Sequence, residues 1–384
     1  MKKLKILPII MMFIVFCLIG YVPHQKAMAE GEIKNNCKAC ILYDAKSKTI
    51  IHAKDENKRL PIASMTKLAT LMLVFDAIDQ GKLSLDQKIR ISKDSASTEG
   101  SSAFLDEKSE YLVSDLIMTV IVCSANDSAV ALAEAVSGSE VAFVKEMNKK
   151  AQELNLENTN FVNATGLPAI DHYSSAYDVS IIYTQICDNP IYKKFSKIWM
   201  TELVHPSGRK TDIVNTNRMI RNYEGCDSGK TGFTKDAGFC LAASATRSDM
   251  RLVGVVIGAS TSKERFAQMA NLFDYGFDNF ENKLVVSSKK PITVANVSNS
   301  KIKQADLFVK EDFVKFLKKG EEFEFCLKYD EINLKAPIKA GESVGKIYVL
   351  DKNNIVIFET DLITDQDIEA ITIGEILQKI YQKI

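Results

Sequence analysis

Three short strings carry residue types that could perform acyl transfer, and they lie far apart along the 384-residue chain. They are Ser64-Met65-Thr66-Lys67, Ser124-Ala125-Asn126 and Lys230-Thr231-Gly232. A serine hydroxyl is a weak nucleophile at neutral pH and needs a base within hydrogen-bond reach. Each string arises by chance in many proteins of this length. Their order and their separations of 60 and 106 residues favour one shared site.

The first string predicts a nucleophile and its base. Apolar residues after Ser64, with Gly81 as a stop signal, predict a helix that begins near Ser64. Positions i and i+3 share a helix face, so we expect Lys67 beside Ser64. The free N–H groups of a helix N-terminus favour negative charge developing there. Lys67 can act as the base only if burial or a second cation lowers its pKa, and Lys230 could supply that cation.

The second string lies between two predicted helical segments, residues 113–123 and 127–135. In a catalytic interpretation, the Ser124 hydroxyl relays a proton between Lys67 and the departing amine, and Asn126 offers its amide to the substrate's amide. Serine and asparagine are also favoured as helix caps, so capping alone is the alternative.

The third string predicts a binding strand. Lys230 and Thr231 would bind a substrate carboxylate by charge and hydroxyl, and Gly232 would let a peptide approach the strand backbone closely. The backbone N–H groups of Ser64 and Phe233 would form an oxyanion hole, which usually carries a large share of the rate enhancement. For an isolated Lys-Thr-Gly, an ordinary hairpin start is the alternative.

The three strings together resemble those of the low-molecular-mass penicillin-binding proteins of the D-alanyl-D-alanine carboxypeptidase type. The similarity covers roughly residues 35–365 and includes these further stretches: 127–134, 143–148, 159–167, 172–178, 217–218 and 237–239. It implies a β-lactamase/transpeptidase-like α/β catalytic domain, in which a helical subdomain closes on an antiparallel sheet with helices. It also implies removal of the terminal D-alanine from peptidoglycan stem peptides through an acyl-serine, with inhibition by β-lactam antibiotics.

The resemblance adds Arg218 and Arg265 as candidates to hold the substrate's terminal carboxylate, with structural or surface ion pairing as the alternative for each. The expected site therefore comprises Ser64, Lys67 and Ser124 as catalytic residues, and Asn126, Lys230, Thr231, Gly232, Phe233, Arg218 and Arg265 as substrate-binding residues. We expect no metal and no cofactor. One local departure precedes Lys230, where Asp227-Ser228-Gly229 replaces the more usual Asp-Gly-Ile and leaves the local turn open.

Three other functions share parts of this machinery. A class A β-lactamase needs a deacylating glutamate, and Ala151 stands where that glutamate would be in the nearest matching string. A non-catalytic penicillin sensor is disfavoured because all the proposed catalytic residues are present. A DD-endopeptidase acting on cross-links uses the same residues and cannot be separated by sequence.

The N-terminus predicts export. Lys2, Lys3 and Lys5 precede an apolar run over residues 6–22, and the small-x-small string Ala27-Met28-Ala29 follows. This pattern is typical of a cleaved signal peptide, here residues 1–29, with an uncleaved anchor as the alternative. We therefore expect the protein at the outer face of the cytoplasmic membrane or in the cell-wall space.

The C-terminus predicts a membrane-associating tail, residues 366–384, whose last residues form an amphipathic helix. Its apolar residues recur at helical spacing, namely Ile373, Ile376, Leu377, Ile380, Tyr381 and Ile384. In the family such a tail lies on the membrane surface, and packing on its own domain is the alternative. Before it, residues 30–282 are expected to form the catalytic domain and residues 283–365 a small β-sandwich-like domain.

The order of elements is also predicted. In the catalytic domain we expect a helix-rich block from Ser64 to about Ser196, in which Pro190 marks a helix end, and strands again from about Gly238. In the small domain, short alternating runs predict strands at residues 284–286, 292–294, 301–305, 322–327, 344–350 and 355–359.

Composition excludes one class of partner. Cleavage after residue 29 lowers the count of Lys and Arg from 49 to 45 against 49 acids, a net charge of −4. With no basic stripe, a nucleic-acid role is not indicated. Seven cysteines remain, several among apolar residues, and a Cys226–Cys240 bridge is left open.

Overall fold

The computed structural model describes residue 33, residues 36–330 and 332–375, and residue 381. In the first part of the chain the strands are β1 (Ala39–Asp44), β2 (Thr49–Lys54), β3 (Lys88–Arg90), β4 (Glu110–Leu112), β5 (Met200–Val204), β6 (Lys210–Val214), β7 (Cys226–Thr234), β8 (Gly238–Arg247) and β9 (Met250–Ala259). The helices are α1 (Lys67–Asp79), α2 (Lys93–Ala96), α3 (Val113–Val122), α4 (Asn126–Ser137), α5 (Glu140–Glu153), α6 (Ala176–Ile186), α7 (Pro190–Ser196), α8 (Met219–Asn222) and α9 (Ser262–Asn279).

A five-stranded antiparallel sheet forms one half of the catalytic domain, with the strand order β2-β1-β9-β8-β7. Both faces are covered, which explains why β8 and β9 are nearly continuous apolar runs. One face packs on α9 through residues such as Leu252 and Phe273, and the other packs on the helices through residues such as Ile41 and Val255. The strand β7 lies at an edge, and no other described strand pairs with its outer side.

The helical half is built around α1, whose residues are buried on almost every side. Side-chain caps begin several of its helices, as Ser139 does for α5 and Ser175 for α6. Gly138, with a φ of 79°, ends α4 in the left-handed conformation. Pro190, which the sequence analysis took as the end of the helical run, is the first residue of α7, where its missing N–H costs no hydrogen bond.

Strands return earlier than the sequence predicted. The expectation placed them from about residue 238, but the hairpin of β5 and β6 already lies at residues 200–214 and is followed by β7. The alternation of buried and exposed side chains in this hairpin is short, because each strand buries only one apolar residue against the helices. These residues are Leu203 in β5 and Ile213 in β6. Two such brief patterns give a weak signal at the end of a helix-rich segment.

The small all-β domain predicted after the catalytic domain is confirmed. It contains β10 (Phe280–Val286), β11 (Thr293–Ser298), β12 (Gln304–Val309), β13 (Phe313–Lys318), β14 (Phe325–Tyr329), β15 (Asn333–Lys335), β16 (Ser343–Asp351) and β17 (Val356–Ile363). The strands β10 and β13 pair as a ribbon, and the other six form a sheet in the order β14-β16-β17-β12-β11-β15. The sequence missed β13, which shows no regular alternation of burial, and β15, which has only three residues.

The predicted signal peptide, residues 1–29, lies outside the described residues. In the predicted tail, residues 366–372 are not helical, and Ile368 forms a β-bridge with Ile338. The helix begins at residue 373, and its residues after 375, apart from residue 381, lie outside the description. No helix in the described part of the chain combines the length and apolar character that a membrane span requires. The seven described cysteines are free thiols, so Cys226 and Cys240 form no bridge here.

Candidate active site

The nucleophile and its base meet at the start of α1. Ser64 lies in a 3₁₀ turn over Ala63–Thr66, and Lys67 is the first residue of α1. The Nζ atom of Lys67 lies 3.0 Å from the Oγ of Ser64 and donates a second hydrogen bond, of 2.7 Å, to the carbonyl of Thr165. The Lys67 side chain is fully buried, so the amine has no contact with bulk water.

The electrostatics of Lys67 suit a base. Burial, followed by the positive charge of Lys230, holds the pKa of Lys67 well below its ordinary value. Burial also lowers the pKa of Lys230 to about 7, and the nearby Arg265 charge contributes in the same direction. Because a protein interior disfavours a lone charge, and a second cation disfavours it further, the neutral form of Lys67, which can accept a proton, is favoured.

Ser124 faces the site and does not cap a helix. It holds a φ of 65° between α3 and α4, and the N-cap of α4 is Ala125, with no side-chain capping bond. The Ser124 Oγ instead accepts a 2.6 Å hydrogen bond from the Nζ of Lys230, which reaches it from β7 across the cleft. The capping alternative therefore fails for Ser124, and its hydroxyl joins the helical half of the domain to the sheet.

Asn126 carries an unused acceptor. Its Nδ2 donates a 2.5 Å bond to the Glu99 carbonyl, which leaves the side-chain Oδ1 buried without a hydrogen-bond partner among the described residues. A buried acceptor without a donor lowers stability by about 1–3 kcal/mol, so such groups call for a functional explanation. A substrate N–H would satisfy it.

The strand β7 approaches the nucleophile because Gly232 has no side chain. A Cβ atom at this position would lie 2.9 Å from the Ile62 carbonyl oxygen and 3.2 Å from the Ser64 nitrogen. The backbone after Gly232 can therefore lie beside the backbone of Ser64, as an oxyanion hole requires. The neighbouring Phe233 is 57% exposed, and its ring packs on that of Phe239 in β8, with the ring centroids 4.3 Å apart.

Thr231 and Arg218 complete the region around Lys230. The Thr231 hydroxyl donates a 2.8 Å bond to that of Thr216, at the segment that follows β6. Arg218 lies two residues further along and is exposed, so its guanidinium is accessible from solution. Its charge acts on Arg265, whose pKa is lowered to about 10, chiefly by burial.

Arg265 supports β7 from α9. It is 7% exposed, and its guanidinium donates to the carbonyls of Gly232 at 3.3 Å and Cys240 at 3.2 Å. The same group lies 4.6 Å over the ring of Phe266. Most of the N–H donors of Arg265 bind groups of the protein itself. Arg265 can therefore act on a substrate mainly indirectly, by holding β7 in position and by adding positive charge beside that strand.

A family comparison matches this geometry. The model of the family described as D-alanyl-D-alanine carboxypeptidase covers residues 25–261, and that of the penicillin-binding protein 5 C-terminal domain covers residues 280–370. The chain belongs to the D-alanyl-D-alanine carboxypeptidase family. It is accordingly a serine-type hydrolase, and the β-lactamase/transpeptidase-like fold expected from the sequence is confirmed.

Three relatives of this carboxypeptidase each cover between 64% and 92% of its chain. It is 37% identical over 358 residues to D-alanyl-D-alanine carboxypeptidase DacF of Bacillus subtilis, covering 92% of each chain. Among solved structures, penicillin-binding protein 5 of Haemophilus influenzae has a TM-score of 0.71 and 32% identity, with 89% of this chain and all of that one covered. Penicillin-binding protein D2 of Listeria monocytogenes, solved in an ampicillin-bound form, has a TM-score of 0.58 and 28% identity over 64% of this chain and all of its own.

Asp127 is a supporting residue that the site prediction missed. Its carboxylate accepts hydrogen bonds from the backbone N–H groups of Ala103 and Leu105 at 3.0–3.1 Å, and from the Ser102 hydroxyl at 2.7 Å. These bonds fix residues 102–105 against the start of α4, next to Asn126. An acid directly after Ser124-Ala125-Asn126, fully buried in the first turn of α4, was the residue to note.

Asp227 explains the departure before Lys230. It sits in a β-bulge between the Cys226 and Ser228 pairs, and regular pairing with β8 resumes from Ser228. Its carboxylate accepts a 2.5 Å bond from the Ser244 hydroxyl and lies 3.0 Å from Arg251. The bulge absorbs the altered sequence, so Lys230 keeps its inward position.

His172 holds the loop that lies over Lys67. Its Nδ1 accepts a 3.1 Å bond from the Val162 N–H, so the Nε2–H donates to the Thr66 hydroxyl at 2.8 Å. Burial lowers the pKa of His172 to about 4, which keeps the ring neutral. These contacts give His172 a structural role, since the loop it anchors carries the Thr165 carbonyl that accepts a hydrogen bond from Lys67.

Proposed function

We propose that this carboxypeptidase removes the terminal D-alanine from peptidoglycan stem peptides by transferring the peptide to Ser64. The observation that carries the proposal is the 3.0 Å contact between the Ser64 hydroxyl and the buried amine of Lys67, whose pKa is lowered by burial and by Lys230. Family membership supports the substrate class, and the alternative functions have no better support.

Acylation begins with Lys67. In its neutral form the amine keeps one N–H on the Thr165 carbonyl and has a lone pair free for the Ser64 proton. The Ser64 Oγ then attacks the carbonyl carbon of the penultimate D-alanine. The backbone N–H groups of Ser64 and Phe233 stabilise the negative charge on the carbonyl oxygen in the tetrahedral intermediate.

Ser124 completes the first half of the reaction. Its oxygen already accepts a bond from Lys230, so its own hydrogen is free to be donated to the departing amine. The Ser124 oxygen regains a proton from the Lys67 ammonium, and the C–N bond breaks. Water then attacks the acyl-serine with Lys67 again as base, which returns the proton to Ser64 and releases the shortened peptide.

Binding of the substrate's free terminal carboxylate explains why the enzyme would cleave at the end of a peptide chain. We place it at Lys230 and Thr231, with the exposed Arg218 as a further cation and Arg265 holding β7 in position. A carboxylate also raises the fraction of Lys230 that is charged, because an opposite charge favours the ammonium form. Asn126 accepts the substrate's amide N–H with its unpartnered Oδ1.

The same proposal covers where the protein acts in the cell and how β-lactams inhibit it. Residues 1–29 direct export, and the tail within residues 366–384 binds the outer membrane surface, which brings the site to the cell wall. β-Lactams acylate Ser64 because they present a carbonyl and a carboxylate at similar spacing. The ampicillin-bound form of the Listeria relative supports this part.

Release of free D-alanine from a peptide ending in L-Lys-D-Ala-D-Ala tests the reaction, with the mature chain and its Ser64→Ala variant compared. We expect release by the wild type alone, and a labelled penicillin adduct on Ser64. A half-buried serine of the small domain, changed in Ser288→Ala, serves as the matched control, since its hydroxyl binds only Asp312 among the described residues. Release by both proteins would show that Ser64 is not the nucleophile. Rapid turnover of penicillin would favour a β-lactamase, and labelling without any peptide cleavage would favour a sensor.

A further inference from the structure

A cavity of about 390 Å³ opens beside the nucleophile. Its wall runs from Ala63, the residue before Ser64, to the turn that joins β7 to β8. Much of the lining is apolar and comes from the segment Leu167-Pro168-Ala169-Ile170, in which Ile170 is 89% exposed. An apolar wall this open is suited to the methylene groups of a bound side chain.

Asp236 supplies the only charged side chain among the described residues that line this cavity. His172 also lines it, but its low pKa keeps the ring uncharged at neutral pH. The Asp236 carboxylate is exposed and takes part in no hydrogen bond or ion pair within the described part of the chain. It is therefore free to meet a charged group that enters the cavity.

The turn that carries Asp236 is held in place. The Nζ of Lys38 donates a 2.8 Å bond to the Asp236 backbone carbonyl, and the Ala237 N–H donates a 3.0 Å bond to the Thr234 hydroxyl. The carboxylate thus projects from an anchored backbone. The nearby ammonium of Lys38 weakens its negative field, so we expect a moderate effect on binding.

The strand β7 sets the direction of the substrate. The proposed function places the terminal carboxylate at Lys230 and Thr231 and the scissile carbonyl at Phe233. Strand residues advance about 3.3 Å each, so the residue before the two D-alanines lies near Thr234 and the turn beyond it. This is where the cavity opens, since Thr234 and Asp236 both line it.

We propose that this cavity is the subsite for the side chain preceding D-Ala-D-Ala, and that Asp236 selects a side chain ending in an ammonium group. The inference rests on the proposed function. The methylenes would pack along residues 167–170, with the ammonium at the Asp236 carboxylate. Asp236 is a specificity residue and takes no part in the chemistry.

The test compares kcat/KM for three peptides that differ only before D-Ala-D-Ala: L-lysyl, Nε-acetyl-L-lysyl and L-glutamyl. We expect Asp236→Asn to lower kcat/KM for the lysyl peptide about two- to fivefold at low salt, the range of an exposed ion pair. The acetylated peptide should be unaffected. Asp236→Lys should reverse the order, so that the glutamyl peptide becomes the better substrate.

Asp249→Asn and Asp249→Lys are the matched controls, because Asp249 is an exposed acid in the opposite turn, between β8 and β9. These control variants should leave the ratios of kcat/KM among the three peptides at their wild-type values. If the Asp236 variants lower all peptides equally, or leave the ratios unchanged, the subsite is refuted while the peptidase function stands. If the wild type releases D-alanine from none of the peptides, both proposals are refuted.

Discussion

Replacing Gly232 by alanine should lower the rate of acylation much more than it lowers the stability of the protein. The new Cβ would lie 2.9 Å from the Ile62 oxygen, 3.1 Å from the Ala63 Cβ and 3.2 Å from the Ser64 nitrogen. All three are shorter than ordinary contacts, and none belongs to a flexible side chain. Either β7 or the 3₁₀ turn must therefore move by about half an ångström, the tolerance within which a catalytic group must be held.

The displacement acts on the proposed oxyanion hole. Loss of one such donor lowers kcat about 10²–10³-fold, and a partial misplacement should lower the acylation rate by roughly 10- to 100-fold. Overpacking destabilises by about 1–3 kcal/mol, but alanine also restricts the unfolded chain relative to glycine, which offsets about 0.4–1 kcal/mol. Stability should therefore fall by only about 0–2.6 kcal/mol.

The assay is the rate of penicillin acylation of Ser64, followed by mass spectrometry, together with urea unfolding of the same protein. Gly374→Ala is the matched control, since a Cβ there would meet no atom within 4 Å. Acylation of the Gly232→Ala variant at the wild-type rate would refute the argument that β7 needs a bare α-carbon at this position. A destabilisation large enough to unfold the protein under assay conditions would refute the estimate of the clash.

Three further predictions concern Lys230, His172 and Cys326. Lys230→Ala removes the cation that helps hold down the pKa of Lys67, so the acid limb of the acylation profile should move to higher pH; the measurement is acylation rate against pH. His172 has a folded pKa of about 4 against an ordinary value near 6.5, so stability is full above about pH 6.5 and should fall by about 3 kcal/mol as pH drops towards 4, measured by urea unfolding. Among the described cysteines only Cys326 is exposed, so one of these seven thiols should react quickly with Ellman's reagent in the mature chain.

Each of these has a control in the same chain. Lys235→Ala, in the turn beyond β7, should leave the acid limb unmoved. The variant His172→Gln should flatten the stability profile between pH 6.5 and 4, and an equally steep profile would exclude His172 as its source. Cys326→Ser should abolish the fast thiol phase, whereas persistence of that phase would place it on another cysteine.

The sequence predicted those parts of the site that depend on local spacing. Ser64 and Lys67 are three residues apart at a helix start, so their contact follows from helix geometry alone. The fold followed from long apolar segments and from the family resemblance. The interaction between Lys230 and Ser124 was expected only as part of a shared site, because no local rule relates residues 106 positions apart.

What the sequence could not show depends on tertiary packing. The Thr165 carbonyl accepts a hydrogen bond from Lys67 only because His172 and Gly166 bring that loop to α1. Every residue has a backbone carbonyl, so the sequence cannot indicate which one will act as an acceptor. Arg265 is predicted to bind the substrate, and nothing in the sequence indicates that two of its N–H donors bind the carbonyls of Gly232 and Cys240. The effect of the altered residues Ser228 and Gly229 likewise depends on the bulge at Asp227, which is set by pairing with β8.

The open edge of β7 also bears on aggregation. An unpaired strand edge can recruit a strand from another chain, and proteins commonly block this with bulges and inward-pointing charges. Here β7 carries both, in the bulge at Asp227 and the buried ammonium of Lys230, and its glycines lower its tendency to form sheets. The residues that prepare this edge for a peptide thus also discourage association between copies of the protein, so variants at Lys230 should be examined for solubility as well as for activity.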